Sequence, residues 1–447
     1  ARELAEGLYE YDLFGVLAAL RTKAGITVKS SSDVGAEDWL LVRGLPRDSA
    51  RNLLVLVDGM PLNDAYSEAN EFEHLPPIDL IDRIVDHRPP LPARFGGYSA
   101  VEDVITKGEP RRTWTEVSAA GGEYSSGSAA AVTEGHEAGF AWRGAVETLV
   151  TDNLTGQRRT PPYASVVYGD RSYRKTRAAA QGLFRAGDAS QFRASAHFLD
   201  SEKFFSDTIF RGEQESRDRR LAHLNLGYLW QPGDRSRLSL SLFRADESYQ
   251  LNLMMHPDVQ DQDRVKQGLR LTWDRELPRK HRLSAGGEFT DLHVVERLGT
   301  PLALEDARFY GLFVEDRFTP NDRWIVVAGM RRDGHAEASS HWSPSLSVAF
   351  APAAANTLHV AWGRSVRWPS LSEISEADPA NGLEAEEQEA LELGFRQSFA
   401  KDRAAARLTI FRIDLDGESA FFLDMSAVPP VGYQRNEPDT VRSEGIE

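Results

Sequence analysis

The segment from Asn52 to Asp64 reads NLLVLVDGMPLND and indicates how the first part of the chain folds. Five apolar residues, Leu53 to Val57, follow one another and end at the dipeptide Asp58-Gly59. An apolar run this short that ends at a turn dipeptide predicts a buried β-strand. Gly59 can adopt a positive φ, so the dipeptide is suited to reverse the chain there.

The composition restricts the possible classes of function. The chain has 447 residues, of which 41% are hydrophobic, and a formal net charge of -16. This acidity argues against a nucleic-acid partner, because phosphate binding requires a basic surface. The chain has no cysteine, which excludes disulfides and thiolate metal sites. The acidic start, ARELAEGLYEYDL, lacks a signal-peptide pattern, so we expect either a cytoplasmic protein or a mature or trimmed chain.

Residues 1–110 have the pattern of a mixed α/β domain. Apolar residues from Leu13 to Leu20 recur at helical spacing, and Gly25 ends that helix before a short strand at 26–28. The segments DWLLVRG and NLLVLVDG predict two further strands, each closed by glycine. The segment LPPIDLIDRIVDHRPP predicts a short helical start at Pro77 and then a strand that ends at Pro89-Pro90.

From about Trp114 onward, apolar and polar residues alternate. In RRLAHLNLGYLW, for example, Leu224 and Leu226 fall on one face and His223 and Asn225 on the other, which predicts long, half-buried strands. Short turn sequences separate pairs of strands at 186–190, 231–236, 277–280, 319–322, 351–356 and 399–403. Longer polar loops lie between those pairs, and this asymmetry is typical of an outer-membrane β-barrel.

Aromatic residues near the strand ends fit the interfacial girdles of such a barrel; they are Trp230, Trp273, Phe318, Trp324 and Trp342. A soluble antiparallel β protein such as a propeller is the alternative, but no blade motif repeats. Strands of this length are also unusual in soluble sheets.

No motif in the sequence indicates an enzyme or a metal site. The string GEYSSGS at 122–128 lacks the lysine of a phosphate-binding loop. The string DLDG at 414–417 is too short for a calcium loop and is interpreted as a solvated turn. The histidines have no metal-binding spacing, and no nucleophile motif is present.

The N-terminal motifs, taken in order, closely resemble the plug domain of TonB-dependent outer-membrane receptors. They are Arg43-Gly44, Val57-Asp58-Gly59, the segment from Pro77 to Ile84, Arg88-Pro89-Pro90 and Ile105-Thr106-Lys107. The later segments RFYGLFVEDRF, SVRWPSLSEI and EALELGFRQSF resemble the barrel of the same family more loosely.

This resemblance implies a membrane all-β fold, an antiparallel transmembrane β-barrel with an α/β plug in its lumen. The expected domains are a plug at 1–110 and a barrel at 111–447 in the bacterial outer membrane. The implied function is import of a ferric siderophore or another scarce metal complex, with cobalamin or a glycan as the alternative ligand. A TonB-type protein at the periplasmic face would supply energy from the proton motive force, without a cofactor. The alternatives are a passive channel or adhesin barrel, and a soluble β-rich binding protein.

The resemblance also implies particular site residues. The loop after Asp58-Gly59 and the loop after Arg43-Gly44 are expected to contact ligand, with candidates Asp48, Ser49, Asn63, Asp64 and Tyr66. Plugs of this family are held to the barrel by arginine–carboxylate pairs. We therefore expect Arg43 and Arg88 to pair with the inward-facing carboxylates of Glu315 and Glu392.

The sequence departs from the family pattern at both ends of the expected domains. Glu102 and Asp103 stand in a shortened YSAVEDVITK segment, which predicts a weakened last plug strand, and Pro89 replaces a usual glycine. No clear segment for the energy-transducing partner precedes the plug. About fifteen barrel strands are predicted, with VRSEGIE starting another, against about 22 in the family. The expectation is a fragment that lacks roughly six strands, since an open sheet edge cannot face lipid.

Overall fold

The computed structural model contains a small N-terminal domain and one large antiparallel sheet. The residues that it describes are 26–30, 38–45, 53–69, 72–96, 98, 100–110, 112–123, 125–152, 172–205, 215–252, 260–298, 302, 304–335, 340–378, 382–399, 403–426 and 431–447. The helix expected over Leu13 to Leu20 lies outside the described residues.

The N-terminal domain, here called the plug, is built from two small sheets. Strands β1 (Ile26–Ser30) and β2 (Asp38–Val42) form an antiparallel pair. The second sheet has the order β4-β3-β6-β5. Its strands are β3 (Leu53–Val57), β4 (Met60–Pro61), β5 (Ile81–His87) and β6 (Ala100–Thr106). Two 3-10 turns, Phe72–His74 and Ile78–Leu80, lie between β4 and β5.

The opening apolar run is the central strand of the plug. All five residues of β3 are buried, and β3 pairs in parallel with β6 on one side and with β4 on the other. A strand covered on both faces can be apolar at every position, which explains the absence of alternation. Asp58 and Gly59 both have positive φ values, 49° and 84°, so the expected turn is present.

The last plug strand is formed and paired on both sides, and its expected weakness stays a prediction. Strand β6 has seven residues, and it pairs with β3 on one edge and β5 on the other. Hydrogen bonds on both edges hold this strand in place despite its two acidic residues. Pro77 precedes the 3-10 turn Ile78–Leu80, and β5 follows directly, as the segment around it predicted.

The rest of the chain forms a 16-stranded sheet in which neighbours in sequence are paired. The strands of this wall are β7 (Trp114–Gly121), β8 (Gly127–Glu137), β9 (Phe140–Thr151), β10 (Tyr173–Ala186), β11 (Ser190–Phe205), β12 (Glu215–Trp230), β13 (Ser236–Asn252), β14 (Gln260–Leu277), β15 (His281–Leu298), β16 (Asp306–Asn321), β17 (Trp324–His335), β18 (Ser340–Ala353), β19 (Asn356–Arg367), β20 (Glu386–Phe399), β21 (Ala404–Asp416) and β24 (Val441–Ile446). A separate hairpin, β22 (Ser419–Asp424) and β23 (Val431–Asn436), lies between β21 and β24.

This strand order confirms the predicted antiparallel barrel wall. Fifteen strands from β7 to β21 are followed by the short β24, and β7 and β24 are the two edges of the described sheet. Each of the predicted short turns falls between two paired strands, for example at 187–189 between β10 and β11. The DLDG string ends β21, and Gly417 after it has a φ of 69°.

The two faces of the wall differ as the alternation predicted. Leu224 and Leu226 are 47% and 46% exposed on the outer face, whereas His223 and Asn225 are 5% and 6% exposed on the inner face. The inner face contacts the plug; Phe243 of β13, for instance, packs into the same apolar cluster as Val55 and Leu40. Among the described residues, none of the helices is both long and apolar enough to span a membrane.

Candidate functional site: the contacts between plug and barrel

Arg43 extends from the plug into the barrel wall. Arg43 and Gly44 have positive φ values of 55° and 76°, so the chain turns directly after β2. The Nη2 atom of Arg43 lies 2.5 Å from Glu392 Oε2 on β20 and 3.2 Å from Glu447 Oε2. Its Nη1 atom donates a 2.8 Å hydrogen bond to the backbone oxygen of Pro89. Only 2% of the Arg43 side chain is exposed, so these acceptors replace the water that the guanidinium loses.

Arg88 joins the same group of charges. Its Nη1 atom lies 2.9 Å from Glu447 Oε2, and its Nη2 atom lies 2.9 Å from Asp86 Oδ2. Burial disfavours the charge on Arg88, but the two carboxylates outweigh burial and raise the pKa of Arg88. The arginine cluster is defined here as Arg43, Arg88, Glu392 and Glu447.

Two further wall residues hold the arginine cluster from the barrel side. His359 Nε2 on β19 lies 2.6 Å from Glu392 Oε1, so both oxygens of that carboxylate are engaged. The Arg43 guanidinium lies 4.5 Å from the centre of the Phe411 ring on β21. A planar guanidinium held by carboxylates at its edge and an aromatic ring at its face has a defined position.

The loop after β4 is held together by Asn63. The Asn63 side chain accepts a 3.0 Å hydrogen bond from the backbone nitrogen of Val55 and donates to the backbone oxygens of Leu53 and Glu68 at 2.7 and 2.8 Å. Asn63 is 3% exposed. Its polar atoms therefore bind strand β3 and the loop.

Asp64 also stabilises this loop through hydrogen bonds to its backbone. Its Oδ1 atom accepts hydrogen bonds from the backbone nitrogens of Tyr66, at 2.8 Å, and Ser67, at 2.5 Å, and its Oδ2 atom pairs with Arg264 of β14. Burial would raise the pKa of Asp64, but Arg264 and the backbone donor of Ser67 lower it well below its usual range. The buried polar atoms of Asn63 and Asp64 are therefore bound by protein groups in this structure, and ligand contact by these two residues stays a prediction.

Tyr66 lies beneath a segment from the barrel. Its backbone oxygen accepts a 2.9 Å hydrogen bond from the backbone nitrogen of Ser372, in the short helix Leu371–Ser375. The side chain is largely covered, and burial together with Glu376 raises the pKa of Tyr66 to about 12. Residues 368–378, here called the cover segment, therefore close over the plug loop that carries Tyr66.

The cover segment is anchored by a buried arginine. Arg367, the last residue of β19, lies 2.9 Å from Glu373 Oε2 and 2.5 Å from Glu386 Oε1. Ser370 caps the helix in a reciprocal arrangement, in which the Ser370 side chain accepts from Glu373 N and the Glu373 side chain accepts from Ser370 N. The fixed end of β19 thus determines where the cover segment lies.

Two family models match this sequence in adjoining parts. The TonB-dependent receptor plug domain matches residues 15–100, and the TonB-dependent receptor-like β-barrel matches residues 111–447. The chain belongs to the TonB-dependent receptors. Members of this family are outer-membrane β-barrel receptors and not enzymes, so the arrangement of plug and barrel serves transport and not covalent chemistry.

Solved receptors share this fold at low sequence identity. A variant of the ferric enterobactin receptor PfeA from Pseudomonas aeruginosa superposes with a TM-score of 0.81 at 18% identity, covering 99% of this chain and 76% of that one. The siderophore receptor PirA from the same organism gives 0.75 at 17% identity, with 99% and 79% covered. A Serratia marcescens hemophore receptor HasR, complexed with its hemophore HasA and heme, gives 0.79 at 13% identity, with 99% and 77% covered. No curated protein matches by sequence alone.

Glu315 of this receptor contacts the plug at a different place from the one expected. Its carboxylate accepts a 3.2 Å hydrogen bond from the backbone nitrogen of Ala93, and it is not paired with Arg43 or Arg88. Glu315 lies on β16, whereas the arginine cluster faces β20 and the chain after β24. The second carboxylate of the cluster is Glu447, which the sequence interpretation missed. Among the predicted ligand candidates, Asp48 and Ser49 lie outside the described residues.

The plug turn of the receptor makes a further contact with the wall. The Asp58 carboxylate accepts two hydrogen bonds from Thr106. The backbone nitrogen of Thr106 donates one at 3.0 Å, and the Thr106 hydroxyl donates the other at 2.7 Å. Arg193 Nη2 of β11 lies 3.3 Å from Asp58 Oδ2, and Gln181 Nε2 of β10 donates to the Thr106 hydroxyl at 2.6 Å. Asp58 therefore connects β3, β6 and the wall, a role that the turn motif alone did not indicate.

The sequence interpretation missed a second group of charges between the plug and the inner wall, although strand alternation indicated part of it. Glu73 of the plug lies 3.3 Å from Arg217 and 3.5 Å from Arg219 of β12. Both arginines share the parity of His223 and Asn225 along that strand, so alternation already placed them on the inner face. In the described part of the chain, no group of three histidine or acidic side chains is placed to hold a metal ion.

Proposed function

We propose that this receptor imports a scarce metal complex, a ferric siderophore in the first place, across the bacterial outer membrane. Membership of the TonB-dependent receptors and the shared fold with receptors for ferric enterobactin and other siderophores support this ligand class. The observation that carries the proposal is the polar attachment of the plug to the inner wall through the arginine cluster. Cobalamin and glycans are the alternative ligands.

The arginine cluster is proposed as the contact that transport breaks and remakes. A buried ion pair adds little net stability over an apolar contact, yet removing one partner is costly, so it favours one defined arrangement. Such a pair has two discrete states, joined or separated, and suits a plug that must leave its place and return. A TonB-type protein, powered by the proton motive force, would pull on the chain before β1 from the periplasmic face.

The ligand is proposed to bind above the plug loop that carries Tyr66. The cover segment lies over this loop, and the segment with Asp48 and Ser49 follows Leu45 in the same domain. Displacement of the cover segment would uncover Tyr66, and binding energy from the ligand would offset the broken hydrogen bond between Tyr66 and Ser372.

Uptake by cells that produce the full-length receptor tests the proposal. Cells are given an iron-55-labelled ferric siderophore, with and without a protonophore, and in strains with and without TonB. We expect uptake that stops when the proton gradient collapses and when TonB is absent. Uptake that continues under both conditions would instead establish a passive channel, and surface binding without any uptake would establish an adhesin.

A further inference from the structure

A cavity of about 90 Å³ lies between the plug and the inner wall of the barrel. The plug contributes Tyr98, and strands β16, β17 and the start of the cover segment contribute Phe309, Tyr310, Arg331, Asp333 and Trp368. This volume exceeds the roughly 10–15 Å³ that one water molecule requires. It is too small for a chelate of several rings.

Two glycines admit the guanidinium of Arg331 to this cavity. A β-carbon on Gly96 of the plug would lie 3.2 Å from Arg331 Nη2, and a β-carbon on Gly311 of β16 would overlap the same group. Arg331 Nε lies 2.7 Å from Asp333 Oδ1, and Nη2 pairs with Glu288. The guanidinium is therefore held by two carboxylates, with 2% of its side chain exposed.

Three polar atoms around the cavity have no hydrogen-bond partner among the described residues. They are Arg331 Nη1, Asp333 Oδ2 and the indole nitrogen of Trp368, and all three are buried. Two of these atoms are donors and one is an acceptor. Leaving buried polar atoms unsatisfied is unfavourable, and a group that both donates and accepts would relieve the cost.

The charges around the cavity balance. Its lining contains three basic side chains, Lys266, Arg331 and Arg367, and three acidic ones, Glu68, Glu288 and Asp333. Because basic and acidic side chains are equal in number, the lining favours neither an anion nor a cation through its net charge. A neutral hydroxyl group, which donates one hydrogen bond and accepts another, suits the open positions better.

Aromatic side chains supply the apolar part of the lining. Trp368 lies 6.2 Å from the His335 ring, and His335 lies 5.0 Å from the Phe309 ring, centre to centre. Tyr98 and Tyr310 complete this lining. Such surroundings favour a flat, conjugated ring, which can stack against them or meet them edge to face.

We propose that this cavity is a subsite for a single hydroxylated aromatic ring of the phenol or catechol class. The ring hydroxyl donates a hydrogen bond to Asp333 Oδ2 and accepts one from Arg331 Nη1. The indole N–H of Trp368 donates a hydrogen bond to a second oxygen of the ligand. This inference rests on the proposed function, because the ring would be a peripheral arm of the imported complex, one whose hydroxyls stay protonated and do not bind the metal. It specifies the chemistry of that arm.

Direct binding of catechol to the purified full-length receptor in detergent tests this subsite. Saturation-transfer NMR detects weak binding and needs neither iron nor energy. Trp368→Phe keeps an aromatic ring at this position and removes the indole N–H, so we expect about three- to tenfold weaker binding. Asp333→Asn removes the charged acceptor, with an expected loss of about tenfold or more. The matched controls are Trp342→Phe and Asp306→Asn, both on exposed residues of the barrel, and neither should change binding.

A second probe separates a ring site from a general polar cavity. Cyclohexane-1,2-diol has two hydroxyls and no aromatic system, and we expect it to bind at least tenfold more weakly than catechol. Equal binding of the two probes, or catechol binding that neither site variant alters, would overturn the subsite. Catechol binding that follows these expectations would support the subsite even if the cells showed no uptake of ferric siderophore. The binding and uptake experiments therefore test the two proposals independently.

Discussion

Arg43 and Glu392 are 349 residues apart in the chain, and 2.5 Å separates their charged atoms. One belongs to the plug and the other to the fourteenth strand of the wall. The pair is nearly buried, with 2% and 16% of the two side chains exposed. Its strength is therefore set by geometry and only weakly by screening from salt.

Glu392→Gln tests the contribution of this pair. The change leaves the buried guanidinium of Arg43 with Glu447 as its remaining carboxylate, so the attachment of the plug should weaken by about 2 kcal/mol. Hydrogen exchange of the amides of β2, next to Arg43, measures this as faster exchange. Glu389→Gln on the same strand is the control, because its pair with Arg364 is exposed and should contribute less than about 1 kcal/mol. Equal effects of the two changes would contradict the assigned role.

The ion pairs of Glu73 should make the stability of the plug depend on pH. Burial would raise the pKa of Glu73, but Arg217, Arg219 and the Tyr173 hydroxyl lower it to about 2. A carboxyl group with a lowered pKa stabilises the fold above its unfolded pKa, near 4.3, and the gain is lost as the pH falls toward its folded value.

Comparison of Glu73→Gln with the unchanged receptor measures this dependence. The difference in unfolding free energy should be about 3 kcal/mol near neutral pH and should approach zero at a pH of about 2. Glu109→Gln is the control, because its pair with Arg185 is exposed. A difference that stays constant across this pH range would show that Glu73 acts through packing and not charge.

The cover segment should respond in a graded way to loss of its anchors. Ser370→Ala removes the helix cap and should cost about 1 kcal/mol. Glu373→Gln leaves the buried Arg367 with Glu386 alone and should cost about 3 kcal/mol. Hydrogen exchange of Ser372 and Ile374 reports both changes. The reverse order of effects would contradict the view that Arg367 positions this segment.

Arg331 lies between Gly96 and Gly311, and we expect alanine at these two positions to reduce the stability of the receptor by different amounts. Gly311→Ala places a β-carbon within the guanidinium and should cost about 2 kcal/mol, because the ion pair with Glu288 must shift. Gly96→Ala makes a 3.2 Å contact that a small movement relieves, so its cost should stay below about 1 kcal/mol. Gly108→Ala, with open space around it, is the control. Chemical denaturation of the purified receptor measures the three costs.

The architecture could be predicted from local sequence patterns. The unbroken apolar run of β3 indicated a strand covered on both faces, and alternation around Leu224 indicated a wall with one polar face. Turn residues located the ends of the wall strands. Each of these patterns depends only on residues that are close in sequence, so a single sequence is sufficient to recognise it.

The partners across the interface could not be predicted in the same way. Arg43 pairs with Glu392 and Glu447, but Glu315 contacts Ala93, and only the rotation of the plug within the wall decides between them. A ligand role for Asn63 and Asp64 is what the family resemblance implies, and it stays a prediction. The contacts of their side chains with Leu53 of β3 and Arg264 of β14 depend on the folded arrangement and could not be predicted from the loop sequence.

The pairing of β1 with β2 determines how this domain would respond to mechanical force. Ile26 lies opposite Val42, so the start of β1 is next to the end of β2 that Arg43 anchors. A load applied through residues before Ile26 would peel the hairpin open, breaking its backbone bonds one after another from that end. Peeling needs far less force than shearing all bonds at once. The hairpin would therefore separate before tension reached the four-stranded sheet, and it would lengthen the chain while the remaining fold stayed in place.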